Sequence, residues 1–349
     1  MLAQGLRRYG YILKADSLQK DLLQLPMRFG FYEYFDFFDG TGYGTDNFSW
    51  TAALFIDLVA EFYASQKKAK VSLEKRVQSL VSGGIILNDG DETLDVSPEK
   101  LSHELMQNIR QLRNKFYDTK RGLVDYQALK ESEDYHNYRL LSNNLQKFDP
   151  ARLFGRREKI AFWVNLYNTI VVDGIVRLSI EKSVKEVADF FSSIKYRIGD
   201  YLYSPDDIEH GILRGNARPW FRPLRQFGTF DNRKKWLVAP VDPRIHFALV
   251  CGSRSCAPID FYDSPEIYDQ LEKAAKSFIN SSEVVFFPEE GKLLVSEIFH
   301  WYEEDFGGKS GVVDFIYDFM ADSSSRDFLK QSGQHIRLEY IYYDWNLNR

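Results

Sequence analysis

The sequence feature that most constrains the fold is the almost entirely apolar segment Glu158–Asp173, which lies within a stretch from about Arg156 to Leu178. Its length and apolar spacing predict one long helix. Asn165 and Asn168 stand three residues apart and so share one face of that helix. A buried amide without a partner costs about 1–3 kcal/mol, so both amides must bind something specific. Two alternatives follow: a polar clamp that fixes neighbouring loops, or a pocket wall that orients a catalytic group.

The rest of the C-terminal two-thirds predicts a mixture of helices and short strands. Helices are expected at Pro265–Ile279 and Val312–Asp322, and a hairpin at Val284–Phe287 and Leu293–Ile298. Further β-prone segments are Tyr196–Tyr203, Trp236–Pro240, Ile245–Cys251 and Arg337–Tyr343. Helices and antiparallel-type strands segregated in this way favour an α+β fold, with helices packed on a mainly antiparallel sheet. No glycine-rich phosphate loop is present, so neither nucleotide binding nor another cofactor is expected.

Residues 1–100 are expected to form a smaller, mostly helical region, and residues 101–349 the α+β domain. The glycine-rich run Asp39–Asp46 predicts a loop. The elements expected after it are two helices and a hairpin, at Ser49–Ser65, Ser72–Val81 and around Asp89–Gly90. Helix, helix and two-stranded wing give a winged-helix outline, which suggests that this region contacts another protein.

Composition excludes several classes of protein. The formal charge is −5 and no dense run of Lys and Arg occurs, which disfavours a nucleic-acid binder. Two cysteines are too few for a disulfide scaffold. No stretch approaches the roughly 20 apolar residues of a transmembrane helix, and the first residues lack the apolar core of a signal peptide. A cytoplasmic location is expected; the sequence does not indicate an oligomeric state.

Both cysteines, Cys251 and Cys256, follow His246 within ten residues. A Cys–His pair supplies a nucleophile and the base that activates it. In a regular strand the side chains of His246 and Cys251 would point to opposite faces. The turn after Cys251 can bring Cys256 back towards His246, and Arg254 in that turn would lower a thiol pKa. The alternative is that the cysteines are simply packed in the interior, as cysteines often are.

Two other chemistries for the cysteines are less well supported by their spacing. A redox pair usually has two intervening residues, whereas four separate Cys251 from Cys256. Zinc would need a fourth ligand or an open site beyond these two sulfurs and His246. No metal is therefore expected.

Two charged residues outside this segment are further candidates. Arg214 is suited to bind a carboxylate through two hydrogen bonds, or to form a structural ion pair. Asp344, just after the last predicted strand, would orient His246 as the third member of a triad. That role requires the C-terminal strand to lie beside the segment that carries His246.

These segments together resemble the DUF547 family, from about Leu105 to the C-terminus. The matching phrases are Phe162–Asn168, His246–Ile259 and Tyr340–Asn348, with intermediate matches at Ile212–Gly215 and Phe299–Phe306. The resemblance implies a family of unknown function, with suspected kinship to papain-like or transglutaminase-like folds. Some of its members carry DEP modules, which the N-terminal outline resembles. Many relatives have His at the position of Asp173 and Asn at that of Val250.

Three functional hypotheses follow. The first is a Cys/His-dependent hydrolase or acyl transferase acting on a peptide or amide. The second is a non-catalytic interaction module, and the third a thiol redox protein. For the first hypothesis the catalytic candidates are Cys256, His246, Asp344 and Asn165, and the substrate-binding candidates are Asn168, Arg214, Arg254 and Cys251.

Overall fold

The computed structural model describes residues 84–332 and 336–349, together with two short strands nearer the N-terminus, β1 (Tyr34–Phe35) and β2 (Gly42–Tyr43). The chain divides into two compact units, residues 1–85 and 86–349. β1 and β2 pair antiparallel, so Gly42–Tyr43 within the predicted loop is a strand. The helices expected at 49–65 and 72–81 lie outside the described residues.

Helices and strands alternate through the rest of the described chain. The helices are α1 (Leu101–Phe116), α2 (Tyr126–Glu131), α3 (Glu133–Asn144), α4 (Gly155–Leu178), α5 (Phe190–Ser193), a π-helix (Asp207–Leu213), α6 (Ile267–Ile279), α7 (Ile298–Trp301), α8 (Gly308–Phe319) and α9 (Ser323–Ser332). The strands are β3 (Ile85–Ile86), β4 (Tyr117–Asp118), β5 (Leu123–Val124), β6 (Ile194–Ile198), β7 (Tyr201–Tyr203), β8 (Val284–Phe287), β9 (Lys292–Ser296) and β10 (Arg337–Ile341).

α4 is the long apolar helix that the sequence predicts. From Ile160 to Val176 every side chain is buried, which is the state expected of a helix that is apolar on all faces. α1, α2, α6 and the π-helix pack around it. Ser179, in the left-handed conformation with φ 52°, ends the helix. The amides of α4 are therefore held in the interior.

The sheets in the described residues are small. β3, β6 and β7 form one three-stranded sheet, and β8, β9 and β10 another. β8 and β9 form the predicted antiparallel hairpin, while β10 runs parallel to β9. Mixed helices and strands agree with the expected α+β class. The strands are distributed over several sheets of two or three strands, not one mainly antiparallel sheet.

Two predicted strands are wrong. Trp236–Pro240 and Ile245–Cys251 form no strand, and short 3₁₀ helices occupy Asn232–Trp236 and Pro243–Phe247. An aspartate caps each of these turns: Asp231 accepts from the Arg233 amide and Asp242 from the Arg244 amide. Such capping, with Pro243 at the first position, favours a helical turn over an extended chain.

The hairpin predicted around Asp89–Gly90 is also absent. Side chains near the end of α3 bind that backbone instead: Asn143 donates to the Glu92 carbonyl and Gln146 to the carbonyls of Asn88 and Gly90. Because these carbonyls already have partners, the segment does not need a second strand. The winged-helix outline has no support in the described residues.

The core beside the candidate site is rich in aromatic residues. Phe247 packs against Phe278 of α6, Phe299 of α7 and Phe315 of α8. This packing fixes the chain immediately after His246. None of the helices in the described ranges has the length and apolar character needed to cross a membrane.

Candidate functional site

A cavity of about 490 Å³ lies beside the 3₁₀ turn that carries His246. His246, Cys251 and Cys256 all line it, so the structure brings together the three residues of the predicted Cys/His segment. Aromatic rings form much of the remaining wall: Tyr167, Phe190, Phe191, Trp220, Phe221, Trp301, Tyr302, Tyr343 and Trp345.

The two cysteines form a close pair of free thiols. Their Sγ atoms lie 2.6 Å apart, compared with about 2.05 Å in a disulfide. The Cys251 backbone amide donates to Cys256 Sγ at 3.0 Å. The Tyr343 hydroxyl lies 3.1 Å from each sulfur. Both cysteines are partly exposed, so the pair is accessible from the cavity.

A tight turn produces this pairing. Gly252 has a φ of +78°, a backbone conformation that favours glycine. A Cβ at this position would also lie 2.6 Å from Ile175 Cδ1 of α4, so the end of that side chain would have to shift. The C-terminal segment lies alongside the turn: Ser253 forms a bridge with Leu347, and the Arg254 amide donates to the Asn346 carbonyl. The last residues of the chain thus hold the turn that places Cys256 against Cys251.

The hydrogen bonds around the two thiols shift their pKa values in opposite directions. Burial alone would raise the pKa of Cys256, but hydrogen bonds from the Cys251 thiol, the Tyr343 hydroxyl and the Cys251 amide outweigh it and lower that pKa to about 7. Burial, with Cys256 alongside, raises the pKa of Cys251 well above its usual value. Cys256 is therefore the thiol of the pair that ionises first, and it is partly thiolate near neutral pH while Cys251 keeps its proton.

His246 is held by a carboxylate that the sequence did not single out. Its Nε2 lies 2.8 Å from Oδ2 of Asp305. Asp305 also accepts two hydrogen bonds from the Arg214 guanidinium, at 2.5 and 2.9 Å. The imidazole stacks on Tyr302, with ring centroids 3.8 Å apart. The residue that orients His246 is therefore Asp305, and Asp344, which accepts from the Asn346 amide, is not its partner.

The His246 imidazole is fully buried, with a side-chain exposure of 0%. Its Nδ1 is buried and has no hydrogen-bond partner. A buried ring nitrogen without a partner is unusual, because it forfeits a hydrogen bond that it would make in water. In this conformation the imidazole forms part of the cavity wall without being open to solvent.

Arg214 forms the structural ion pair that was one of its two predicted roles. Its side chain is 2% exposed. Burial opposes its charge, yet its hydrogen bonds to Asp305 raise the pKa of the guanidinium. Burial lowers the pKa of the neighbouring His210 to about 4, and that neutral ring contacts Arg214 through Nδ1 at 2.8 Å. Arg214 does not line the cavity.

The two amides of α4 are polar clamps on backbone. Asn165 donates to the Tyr262 carbonyl and accepts from the Tyr262 amide. Asn168 donates to the Ala248 carbonyl and accepts from the Val250 amide. Neither amide lines the cavity. The clamp alternative is what the structure shows, and the Asn168 clamp fixes the chain between His246 and Cys251.

The remaining predicted site residue, Arg254, is exposed and does not line the cavity. The Asp173 carboxylate is buried in α4 and accepts hydrogen bonds from the hydroxyls of Tyr135 and Tyr196. It does not line the cavity either.

One side of the cavity is acidic. Asp206 and Glu209 line it from the π-helix end. Burial raises the pKa of Asp206 to about 7, although Arg222 at 3.3 Å opposes the shift. Burial also disfavours ionised Glu209, but the nearby His210 and His246 rings lower its pKa overall. The cavity thus combines a thiolate, aromatic rings and carboxyl groups of unequal charge.

Sequence reasoning missed Asp305, Tyr343 and Glu209 as site residues. Asp305 lies in the segment Phe299–Phe306, which was recognised as a family phrase without a role. Tyr343 lies in the closing family phrase beside the candidate Asp344. Both signals were present in the sequence, but nothing in it paired these side chains with His246 or the sulfurs.

Comparison with known proteins gives a match to one family model over part of the chain, and two partial relatives. Residues 151–279 match DUF547, described as a protein family of unknown function. A mannosylglycerate hydrolase from Rubrobacter radiotolerans is 55% identical over 60 residues, which are 17% of this chain and 14% of that protein. Another, from Thermus thermophilus, is 48% identical over 54 residues, 16% of this chain and 13% of that protein. The chain spans about one seventh of the curated relatives it matches, and no solved structure matches it.

Proposed function

We propose that the cysteine pair makes this protein a thiol–disulfide exchange enzyme, with Cys256 as the attacking thiolate and Cys251 as the resolving thiol. The observation that carries the proposal is the 2.6 Å separation of their sulfurs. The two sulfurs are thus already in contact, which is the proximity that disulfide formation needs. A thiol whose pKa lies near the ambient pH is the most effective attacking group, and Cys256 has that property.

The exchange reaction proceeds in two steps. The Cys256 thiolate attacks one sulfur of a substrate disulfide, so that a mixed disulfide forms and the first substrate thiolate leaves. Cys251 then attacks Cys256 Sγ, which closes the Cys251–Cys256 disulfide and releases the second substrate thiolate. One proton for the two released thiols comes from Cys251 and the other from solvent. The substrate disulfide is reduced and the cysteine pair is oxidised.

The test uses glutathione disulfide as the probe and mass spectrometry as the readout. We expect the reduced wild-type chain to form an internal disulfide. In Cys251→Ser the reaction should stop at a glutathione adduct on Cys256, because the resolving thiol is missing. In Cys256→Ser the remaining thiol should react far more slowly. Since the sequence holds two cysteines, every adduct is assigned without ambiguity. A wild-type chain that accumulates glutathione adducts and forms no internal disulfide contradicts the proposal.

A Cys/His hydrolase or acyl transferase is the second candidate, with the papain-like or transglutaminase-like fold as part of that hypothesis. The observation that favours it is that His246, oriented by Asp305, lines the same cavity as Cys256. Its unpartnered Nδ1 would be the proton donor to a leaving group after the ring moves. This candidate requires His246 and Cys256 but not Cys251.

Two variants separate the two candidates. Cys251→Ser should abolish turnover of a disulfide but leave hydrolysis of an activated thioester intact, whereas His246→Asn should do the reverse. A Cys256 thiol unreactive in both assays would support the non-catalytic interaction module. The similarity to mannosylglycerate hydrolases covers too few residues for that activity to enter the proposal.

A further inference from the structure

The segment from residue 217 to 235 presents an unusual set of exposed side chains next to the cavity. The described part of the chain has seven large hydrophobic side chains that are exposed, and four of them lie between 220 and 230. They are Trp220, Phe221, Leu224 and Phe230, with exposures of 56%, 49%, 76% and 95%. Apolar side chains this exposed and this close in sequence mark an interaction surface.

The segment is anchored in the fold, so these exposures belong to a defined surface. The Asn216 side chain donates to the Phe227 backbone carbonyl at 3.0 Å and accepts from the Phe227 backbone amide at 2.7 Å. The Phe227 ring is buried against Gly211 of the π-helix. Arg233 covers its other side, with the guanidinium carbon 4.3 Å from the ring centroid. Phe227 thus points inward while its neighbours point into solvent.

The same segment is strongly basic. Between 218 and 235 there are six Lys and Arg residues and one Asp, a net charge of +5 in a chain whose total is −5. Three of these cations face carboxylates outside the segment, in the pairs Arg218–Glu304, Arg222–Asp206 and Arg233–Asp207. Arg225 donates to a backbone carbonyl, and Lys235 lies over the Trp236 ring. Both of these cations therefore contact neutral groups.

We propose that this segment docks on an anionic membrane surface. Trp and Phe side chains prefer the headgroup level of a bilayer, and Leu adds apolar area that enters the acyl boundary. Each exposed Lys or Arg beside them gains free energy from the negative potential of an anionic leaflet. The charge of the segment is opposite to that of the rest of the chain, which favours docking at this face. Single-stranded nucleic acid fits less well, because Leu224 offers no ring on which a base stacks.

Docking in this way would place the cavity mouth at the lipid surface. Trp220 and Phe221 belong to the exposed segment and also line the cavity. A membrane that binds the segment would therefore face the entrance to the cysteine pair. This inference is independent of which thiol reaction the cavity supports.

The test is cosedimentation of the full chain with vesicles. We expect binding to vesicles that contain phosphatidylserine and little binding to phosphatidylcholine alone, with the binding weakened by salt. The double variant Leu224→Ser/Phe230→Ser and the charge variant Arg225→Glu/Lys235→Glu should each lower the vesicle-bound fraction at least about ten-fold. None of these four residues lines the cavity, so thiol reactivity without vesicles should stay at its wild-type level.

Tyr342→Ser is the matched control, because Tyr342 is 85% exposed but lies outside the basic segment. It should bind vesicles like the wild type. Equal binding by wild type and both loop variants, or no binding to anionic vesicles, overturns the proposal. Displacement of the chain from vesicles by a short single-stranded DNA, with tighter binding to that DNA, would reassign the surface to nucleic acid.

Discussion

The two ends of the His246–Cys256 segment differ in what surrounds their reactive groups. His246 is fully buried, bonded to Asp305 and stacked on Tyr302. Cys251 and Cys256 are partly exposed to the cavity, and their sulfurs contact each other and Tyr343. Within ten residues, one group is built into the interior and the other is open to a bound molecule.

This difference suggests separate roles for His246 and for the two thiols. The His246 imidazole, Asp305 and Arg214 are hydrogen-bonded to one another in the interior. Such a buried network makes this part of the cavity wall rigid. The thiols are held by a backbone amide and a hydroxyl that favour one negative charge. Under the proposed function, the His246–Cys256 segment has a structural half around His246 and a reactive half around the two sulfurs. Three variants test this division, and one further variant tests the acidic side of the cavity.

The largest effect is expected on the structural half. Asp305→Asn leaves the Arg214 guanidinium buried without its carboxylate, and breaking such a pair costs about 3–5 kcal/mol. Urea unfolding monitored by fluorescence measures the loss. Glu304→Gln is the matched control. Glu304 is the residue before Asp305, and its carboxylate lies 3.5 Å from the Arg218 guanidinium on the surface. A surface pair of this kind contributes about 0–1 kcal/mol. Equal stability of the two variants would contradict the role assigned to Asp305.

The next largest effect distinguishes the two amide clamps of α4. Asn168→Leu leaves the Ala248 carbonyl and the Val250 amide unpaired, a cost of about 2–4 kcal/mol. Asn165→Leu should lose a similar amount, because it leaves the same two groups of Tyr262 unpaired. Only Asn168→Leu should also shift the pKa of Cys256, measured from alkylation rates in the folded protein. If both variants show the same pKa for Cys256, the Asn168 clamp does not influence the thiols, which contradicts this prediction.

A third variant tests the acidic side of the cavity. Burial raises the pKa of Asp206 to about 7, so the folded chain holds this proton more tightly than the unfolded chain does. Stability should therefore decline as pH rises from about 4 to about 7, the interval between the unfolded and folded pKa values. In Asp206→Asn that part of the decline, about 2–4 kcal/mol, should disappear. Urea unfolding at several pH values checks this, and parallel curves for the two proteins would contradict it.

The smallest effect is expected on the reactive half. Tyr343→Phe removes a hydroxyl that lies 3.1 Å from Cys256 Sγ. The pKa of Cys256 should then rise from about 7 by roughly 0.5–1 unit, because the thiolate loses one hydrogen-bond donor. The pH dependence of alkylation by iodoacetamide measures the midpoint. Tyr342→Phe, one residue earlier and exposed, should leave the midpoint unchanged; a shift of equal size in both would show that the hydroxyl contact is not the cause.

Elements defined by local periodicity were predicted well. Helix α4, helix α6 and the β8–β9 hairpin appear where apolar spacing placed them, with bounds within a few residues. Such patterns depend on neighbours a few positions apart, so the sequence carries them directly. The segment Ile245–Cys251 reads as a strand by composition but forms a 3₁₀ turn, because Asp242 and Pro243 begin a helical turn at its start.

The sequence by itself determined that α4 is a buried helix with two satisfied amides and that both cysteines share one segment with His246. Only the tertiary structure decided that His246 meets Asp305, 59 residues away, and that the two sulfurs touch. The chain holds 50 Asp and Glu residues, and many of them could have been the partner of one imidazole. Long-range packing of α7 and the following turn against Phe247 makes that choice, and no local pattern in the sequence encodes it.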